Sequence, residues 1–258
     1  MHHVKEGSGE PALVFVHGFA GDHQDWRAQL EYFAPRRTVL ACDLRGHGAT
    51  PGRPEECTIE HYGGDVAALI GALQISRAVL IGHSMGCRVV LEAARLDPER
   101  VAGVVLVDGS KMATGAPEQA EDAMRAAIEF AGYPAFADAF FAQMFLAPTR
   151  ESLAIIARAK RLPAEIGMAL FPRMLRWDAA HMDAALDALR VPLLVIQSTW
   201  VNAERKRAAL APGQSTPWLE LLKSRVPGAR IEIVLRTGHF TQIEAADQVN
   251  RLIESFVG

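Results

Sequence analysis

The stretch Gly82-His83-Ser84-Met85-Gly86 sets a serine between two glycines, after an apolar run (78–81) and before a helical pattern that continues from Cys87. Passing from strand to helix with no loop residues to spare forces a sharp turn, and the side chain at its apex projects clear of the sheet. A Cβ at position 82 or 86 would crowd the neighbouring strand or helix, so glycine is the residue type that lets this turn close. The helix opening at Met85 directs free N–H groups and the positive end of its dipole toward the serine oxygen. Such surroundings suit developing negative charge and make Ser84 a candidate nucleophile. A serine hydroxyl is a weak nucleophile at neutral pH and needs a base within hydrogen-bond reach. His239, in the segment VLRTGHF just past the last strand-like run, is the candidate base. On that reading activity falls on acidification through the pKa of an ordinary histidine, roughly 6–7.

These residues need elements to hold them. Residues 12–17, 38–42, 78–81, 101–107, 193–197 and 231–235 are short, apolar and mostly without alternation, which predicts strands buried on both faces. Helical patterns near 24–34, 58–73, 85–96 and 243–256 fall between and after them. Alternating strands and helices predict an α/β fold with a doubly wound, mostly parallel sheet, whose reactive groups gather at the carboxyl ends of the strands. From about 112 to 190 no strand-like run occurs, only helical pattern punctuated by Pro134, Pro148, Pro163 and Pro172. The expected organisation is therefore a core of residues 1–111 and 191–258 with a helical cap, 112–190, inserted between two strands. Phe136, Phe140, Phe141, Met144 and Phe145 share one helical face by spacing. That face either packs within the insertion or roofs an apolar substrate pocket, to which Phe140, Phe141, Met144 and, from the segment after 193–197, Trp200 are assigned.

Over nearly its whole length the sequence resembles the α/β-hydrolase fold superfamily. VFVHGFAGDHQDW resembles the family's strand and His-Gly loop, ACDLRGHGAT its next strand and D-x-R-G-x-G turn, IGHSMG its nucleophile elbow, and RTGHF its histidine loop. The resemblance implies an oxyanion hole made by the backbone N–H groups of Met85 and Phe19. His17 is expected to hold its loop, and His83, Asp43, Arg45 and His47 to be structural. The family's commonest position for the triad acid falls on PLLVIQSTWVNAERKRAAL, which has no Asp; Glu204 is its first carboxylate. One strand earlier, VVLVDGS ends in Asp108, and some family members draw their acid from that strand end. Asp108 is preferred because its strand should lie beside that of Ser84, whereas Glu204 sits in a helical-looking run, 203–210, that would have to fold back. A triad without a carboxylate is the third alternative.

Composition bounds the rest. The chain has 258 residues, half of them hydrophobic, with 22% charged and a net charge of −3. Its basic residues are scattered, so nothing points to nucleic acid or an anionic membrane. Cys42, Cys57 and Cys87 are odd in number and lack C-x-x-C spacing, which reads as free thiols in a reducing, cytoplasmic setting. No signal peptide, transmembrane span, metal site or organic cofactor is implied. The expectation is a serine hydrolase acting on a small-molecule carboxylic ester or lactone with an apolar acyl or aromatic part. Acyl-homoserine lactones and thioesters remain as alternative substrates, a ligand-binding receptor or pseudoenzyme on the same fold as a different class, and a homodimer as an open assembly state.

Overall fold

The structure, a computed structural model, describes residues 1–204 and 206–258. Its strands in chain order are β1 (His3–Glu6), β2 (Ala12–Val16), β3 (Val39–Cys42), β4 (Ala78–His83), β5 (Val101–Val107), β6 (Leu193–Gln197), β7 (Thr199–Val201), β8 (Arg207–Ala209) and β9 (Arg230–Ile233). Seven of them make one sheet in the order β1-β3-β2-β4-β5-β6-β9, parallel throughout except for the antiparallel edge strand β1. Strand order reverses between β2 and β4, and the crevice outside the carboxyl ends at such a reversal is where open α/β sheets bind ligands.

The helices are α1 (Arg27–Phe33), α2 (Ile59–Ala72), α3 (Met85–Leu96), α4 (Pro117–Ala131), α5 (Tyr133–Phe141), α6 (Arg150–Ala159), α7 (Ala164–Ala180), α8 (Met182–Ala188), α9 (Pro217–Arg225), α10 (Thr241–Glu244) and α11 (Ala246–Val257). Side chains that alternate along the strands feed two cores. Leu13, Phe15, Val79, Ile81, Val105 and Val107 pack with Phe33, Val249 and Ile253 on one face of the sheet. Val14, Val16, Leu80, Val104 and Leu106 pack with α2, α3 and inserted helices on the other. Both faces are therefore dry, which is why these strands read as unbroken apolar runs. Helices α4 to α8 all lie between β5 and β6. No helix among the described residues is long and apolar enough to cross a membrane.

Three local expectations are corrected. The run 203–210 is not helical: β7 and β8 pair antiparallel, Thr199 opposite Ala209 and Val201 opposite Arg207, while Arg205 lies outside the described residues. Helix-forming residue types lose there to a tertiary demand, since Thr199 and Arg207 both reach Asp108. Helix α5 ends at Phe141, so Met144 and Phe145 lie beyond the helical face assigned to them. The last helical pattern is broken at Ala245 into α10 and α11.

Candidate active site

β4 and β5 end level with each other, His83 standing opposite Val107. Ser84 is the residue after β4 and Asp108 the residue after β5. The Ser84 N–H donates to Val107 O at 3.0 Å, and the Asp108 N–H donates to Ile196 O at 2.8 Å, so both are pinned by continuation of the sheet ladder. Both leave it through positive φ, 54° at Ser84 and 46° at Asp108. Ala20 (φ 58°) and Arg236 (φ 57°) do the same on the loops after β2 and β9, whereas Gln74 (φ 55°) does so before β4. The turn at Ser84 closes for the steric reason its sequence suggests. A Cβ on Gly82 would lie 2.3 Å from Gly86 O, and one on Gly86 would lie 2.4 Å from Val16 O.

Asp108 is fully buried, and its carboxylate is saturated with donors. Oδ1 accepts from Ser198 N at 2.8 Å and Thr199 N at 2.7 Å, and Oδ2 accepts from the Thr199 hydroxyl, from Arg207 Nη1 at 3.3 Å and from His239 Nδ1 at 2.6 Å. The segment after β6 that carries no aspartate thus supplies the N–H and hydroxyl groups that fix an aspartate from β5. Burial alone would raise the Asp108 pKa, but the His239 hydrogen bond and charge, with Arg207 and Thr199, bring it down to about 2. Glu204 lies elsewhere, exposed beyond β7, with its backbone N–H donating to Asn202 Oδ1 at 3.1 Å.

His239 is 3% exposed and tied down at both ends. Its N–H donates to Met144 O at 2.7 Å, and its carbonyl accepts from His83 Nε2 at 2.9 Å. Burial first, then the charge of Arg207, lowers its pKa to about 4 against the pull of Asp108, below the range of an ordinary histidine. The ring is neutral at neutral pH, with Nδ1–H on Asp108, which leaves Nε2 as an acceptor. Ser84 and His239 line one cavity with Gly18, Phe19, Phe140 and Met144; at about 10 Å³ it is nearly closed. Gly18 packs so near that a Cβ on it would come within 3.1 Å of Ser84 Cβ. As the first residue of α3, Met85 has an N–H without an intrahelical acceptor. The Phe19 ring stands edge-on to Phe171 at 5.2 Å and to Phe140 at 6.0 Å, so its side chain meets the inserted helices, and the residue lines the Ser84 cavity.

The remaining sequence assignments sort cleanly. His17 Nδ1 donates to Gly18 O at 2.8 Å and its Nε2 accepts from Leu44 N at 3.0 Å, with burial lowering its pKa to about 4. Asp43 accepts from the His23 N–H, His23 Nδ1, His2 Nδ1 and the Ala49 N–H, and Arg45 pairs with Asp65. The ligand atoms of His2, His23 and Asp43 lie within 4.8 Å of one another, close enough to hold a metal ion, but His23 and Asp43 line a different cleft. Trp200 packs against the core and lines neither the Ser84 cavity nor the larger one beside it; its neighbours Val201 and Asn202 line the latter. Nothing in the sequence marks Arg207, because a basic residue in ERKRAAL reads as solvated. The Met144 carbonyl that holds His239 has no sequence signal at all.

A model of the alpha/beta hydrolase family matches residues 13–252. The chain is 31% identical to a dihydrolipoyllysine-residue acetyltransferase component of the acetoin cleaving system of Pseudomonas putida, over 97% of this chain and 64% of that one. It spans just under two thirds of the length of the curated relatives of that name. Among solved structures it is similar to a thermophilic esterase from Thermogutta terrifontis, with a TM-score of 0.81 at 25% identity, covering 99% of this chain and 92% of that one. It is also similar to the enol-lactonase from Burkholderia xenovorans LB400, with a TM-score of 0.76 at 26% identity, covering 99% and 95%.

Proposed function

Because the chain belongs to the alpha/beta hydrolase family, we propose that it is a serine hydrolase that cleaves carboxylic esters or lactones through an acyl-enzyme. The reading rests on one observation: Asp108 Oδ2 and His239 Nδ1 stand 2.6 Å apart, buried, with His239 lining the same cavity as Ser84. His239 Nε2 takes the Ser84 proton as Oγ attacks the carbonyl carbon, and Asp108 stabilises the imidazolium that forms. The carbonyl oxygen becomes an oxyanion held by the Phe19 and Met85 N–H groups. Collapse expels the alkoxide, which takes the proton back from His239. Water, deprotonated by the same histidine, then cleaves the acyl-Ser84 bond and frees the acid.

Substrate selection falls to the inserted helices acting as a cap. Phe136, Phe140, Met144 and Leu175 give the adjoining cavity of about 380 Å³ an apolar wall suited to an acyl or aromatic part. The esterase and enol-lactonase among similar structures support the same class. An acyl-homoserine lactone or a thioester would use the same groups. Three buried free cysteines accord with a cytoplasmic setting. The test is labelling with a fluorophosphonate, which reacts only with an activated serine. The expected result is stoichiometric modification at Ser84 and ester turnover that Ser84→Ala lowers about 10⁴-fold or more. An unlabelled protein would instead indicate a ligand-binding member of the fold.

A further inference from the structure

The cavity beside Ser84 has a mainly apolar lining, with Gln143 and Asn202 as its uncharged polar residues. Lys111 and Arg207 are its charged lining residues, no carboxylate joins them among the described residues, and Phe140 and Met144 line both this cavity and the one at Ser84. Lys111 is already paired, its Nζ donating to Asp183 Oδ1 at 2.6 Å. Arg207 is different. Its side chain is 6% exposed, and Nη1 donates to the Thr199 hydroxyl at 2.7 Å and to Asp108 at 3.3 Å. Its Nε is buried with no acceptor among the described residues. A guanidinium presents five donors in a planar fork matched to a carboxylate, so this one has capacity to spare at the wall of a ligand-sized cavity.

Asp108, the carboxylate that Arg207 reaches, also holds His239. Arg207 therefore shares its counter-charge with the catalytic imidazole and is only partly neutralised where it lines the cavity.

We propose that the substrate carries a carboxylate as well as the scissile ester or lactone, and that Arg207, with Lys111 also on the cavity lining, binds it. The inference rests on the serine hydrolase reading and names the substrate class of the same site. Half-esters of straight-chain dicarboxylic acids are the simplest members of that class.

The test compares monomethyl esters of dicarboxylic acids, glutarate to pimelate, with methyl esters of monocarboxylic acids of matched length, read by proton release. The wild type should favour the acidic member of at least one pair by about 10- to 100-fold in kcat/KM, the range expected for hydrogen bonds to a charged group. Arg207→Met should collapse that ratio with KM for the acidic ester raised most, Arg207→Lys should keep part of it, and Lys111→Met should lower it. Preference for the neutral ester in every pair overturns the inference, as does a ratio unchanged in Arg207→Met, since Arg207 then only supports Asp108. If no methyl ester is turned over, adipate and hexanoate are compared as protectants of Ser84 against the fluorophosphonate. Stronger protection by adipate supports the carboxylate site, and equal protection overturns it. Absence of labelling sinks the hydrolase reading and this inference together, whereas labelling without acid preference sinks this inference alone.

Discussion

Arg88 and Asp178 meet in a bidentate ion pair that solvent does not reach: Nε to Oδ1 and Nη2 to Oδ2 are both 2.7 Å, and the side chains are 1% and 0% exposed. Arg88 lies one turn into α3, with Nη1 on Ser84 O at 3.3 Å and Nη2 on Ser110 O at 2.8 Å. Asp178, near the end of α7, also accepts the Met112 N–H at 2.7 Å. One pair therefore ties the serine turn, the exit of β5 and the inserted helices together. Removing one partner strands a buried charge, so Asp178→Ala should cost about 3–5 kcal/mol in urea unfolding, while Arg88→Met with Asp178→Leu should recover much of it. A single variant near wild-type stability would mean that water replaces the lost partner.

The saturation of Asp108 separates the two carboxylates considered for the triad. Asp108→Asn should lower kcat by about 10³–10⁴ with the fold retained, because an amide at that position favours the wrong histidine tautomer. Glu204→Gln, on an exposed side chain, should change kcat little. Steady-state kinetics on the two purified variants decide it, and the reverse pattern would unseat Asp108.

With its pKa lowered to about 4 by burial, then by the charges of Arg207 and Arg88 over the opposing pull of Asp108, His239 stays unprotonated well into acid. The acidic limb of kcat/KM should accordingly lie below the ~6.5 of a free histidine, displaced toward the folded value. A limb in the ordinary histidine range would show that water reaches the ring.

Stability should respond to acid over a wider window. Burial, the largest cause in each, lowers His17 to about 4, His47 to about 3 and His239 to about 4, and holds His83 well below its ordinary value of 6.5. Between each folded value and 6.5 the unfolded chain binds a proton that the folded chain refuses, so stability present above 6.5 is lost as pH falls through that window. Each such histidine contributes up to about 1.4 kcal/mol per pH unit. Asp108 acts lower, losing its contribution only as pH falls from 3.8 toward about 2. Urea midpoints measured against pH should decline from mildly acidic conditions, and His47→Asn, which retains a donor for Arg45 O, should flatten the decline.

Phe140 lines both cavities, so it should meet substrate whatever its length. Each buried methylene is worth about 0.8 kcal/mol, so affinity should climb with acyl length until the cavity fills. Phe140→Ser should raise KM for longer esters more than for acetates. Equal effects along the series would mean that the ring packs inward only.

Much of this is legible in the sequence. Ser84 announces itself because a strand-to-helix turn this tight restricts which residues can flank it, and β5 and β6 begin and end where their apolar runs do. Asp108 is preferred on strand adjacency together with the vacant usual position and the family resemblance that offers its strand end. The β7–β8 hairpin could not be read, because its three-residue strands carry no pattern and form to satisfy a carboxylate distant in sequence. Arg207 looks like any surface cation until that hairpin folds. The depressed pKa of His239 is equally silent in RTGHF, since it comes from enclosure by other parts of the chain.

The two ladder-pinned residues and the hairpin differ in how long they hold still. The amides of Ser84 and Asp108 donate into the middle of a seven-stranded sheet and should exchange with solvent only when the whole molecule unfolds. Those of β7 and β8 belong to a two-stranded ribbon of three residues a side, a unit that opens locally at far lower free energy. Each opening takes Thr199 and Arg207 off Asp108 while the spacing of Ser84 and Asp108 survives. The site should therefore behave as a lasting frame with an intermittent clamp, read as faster amide exchange in β7 and β8 than at Ser84 and Asp108.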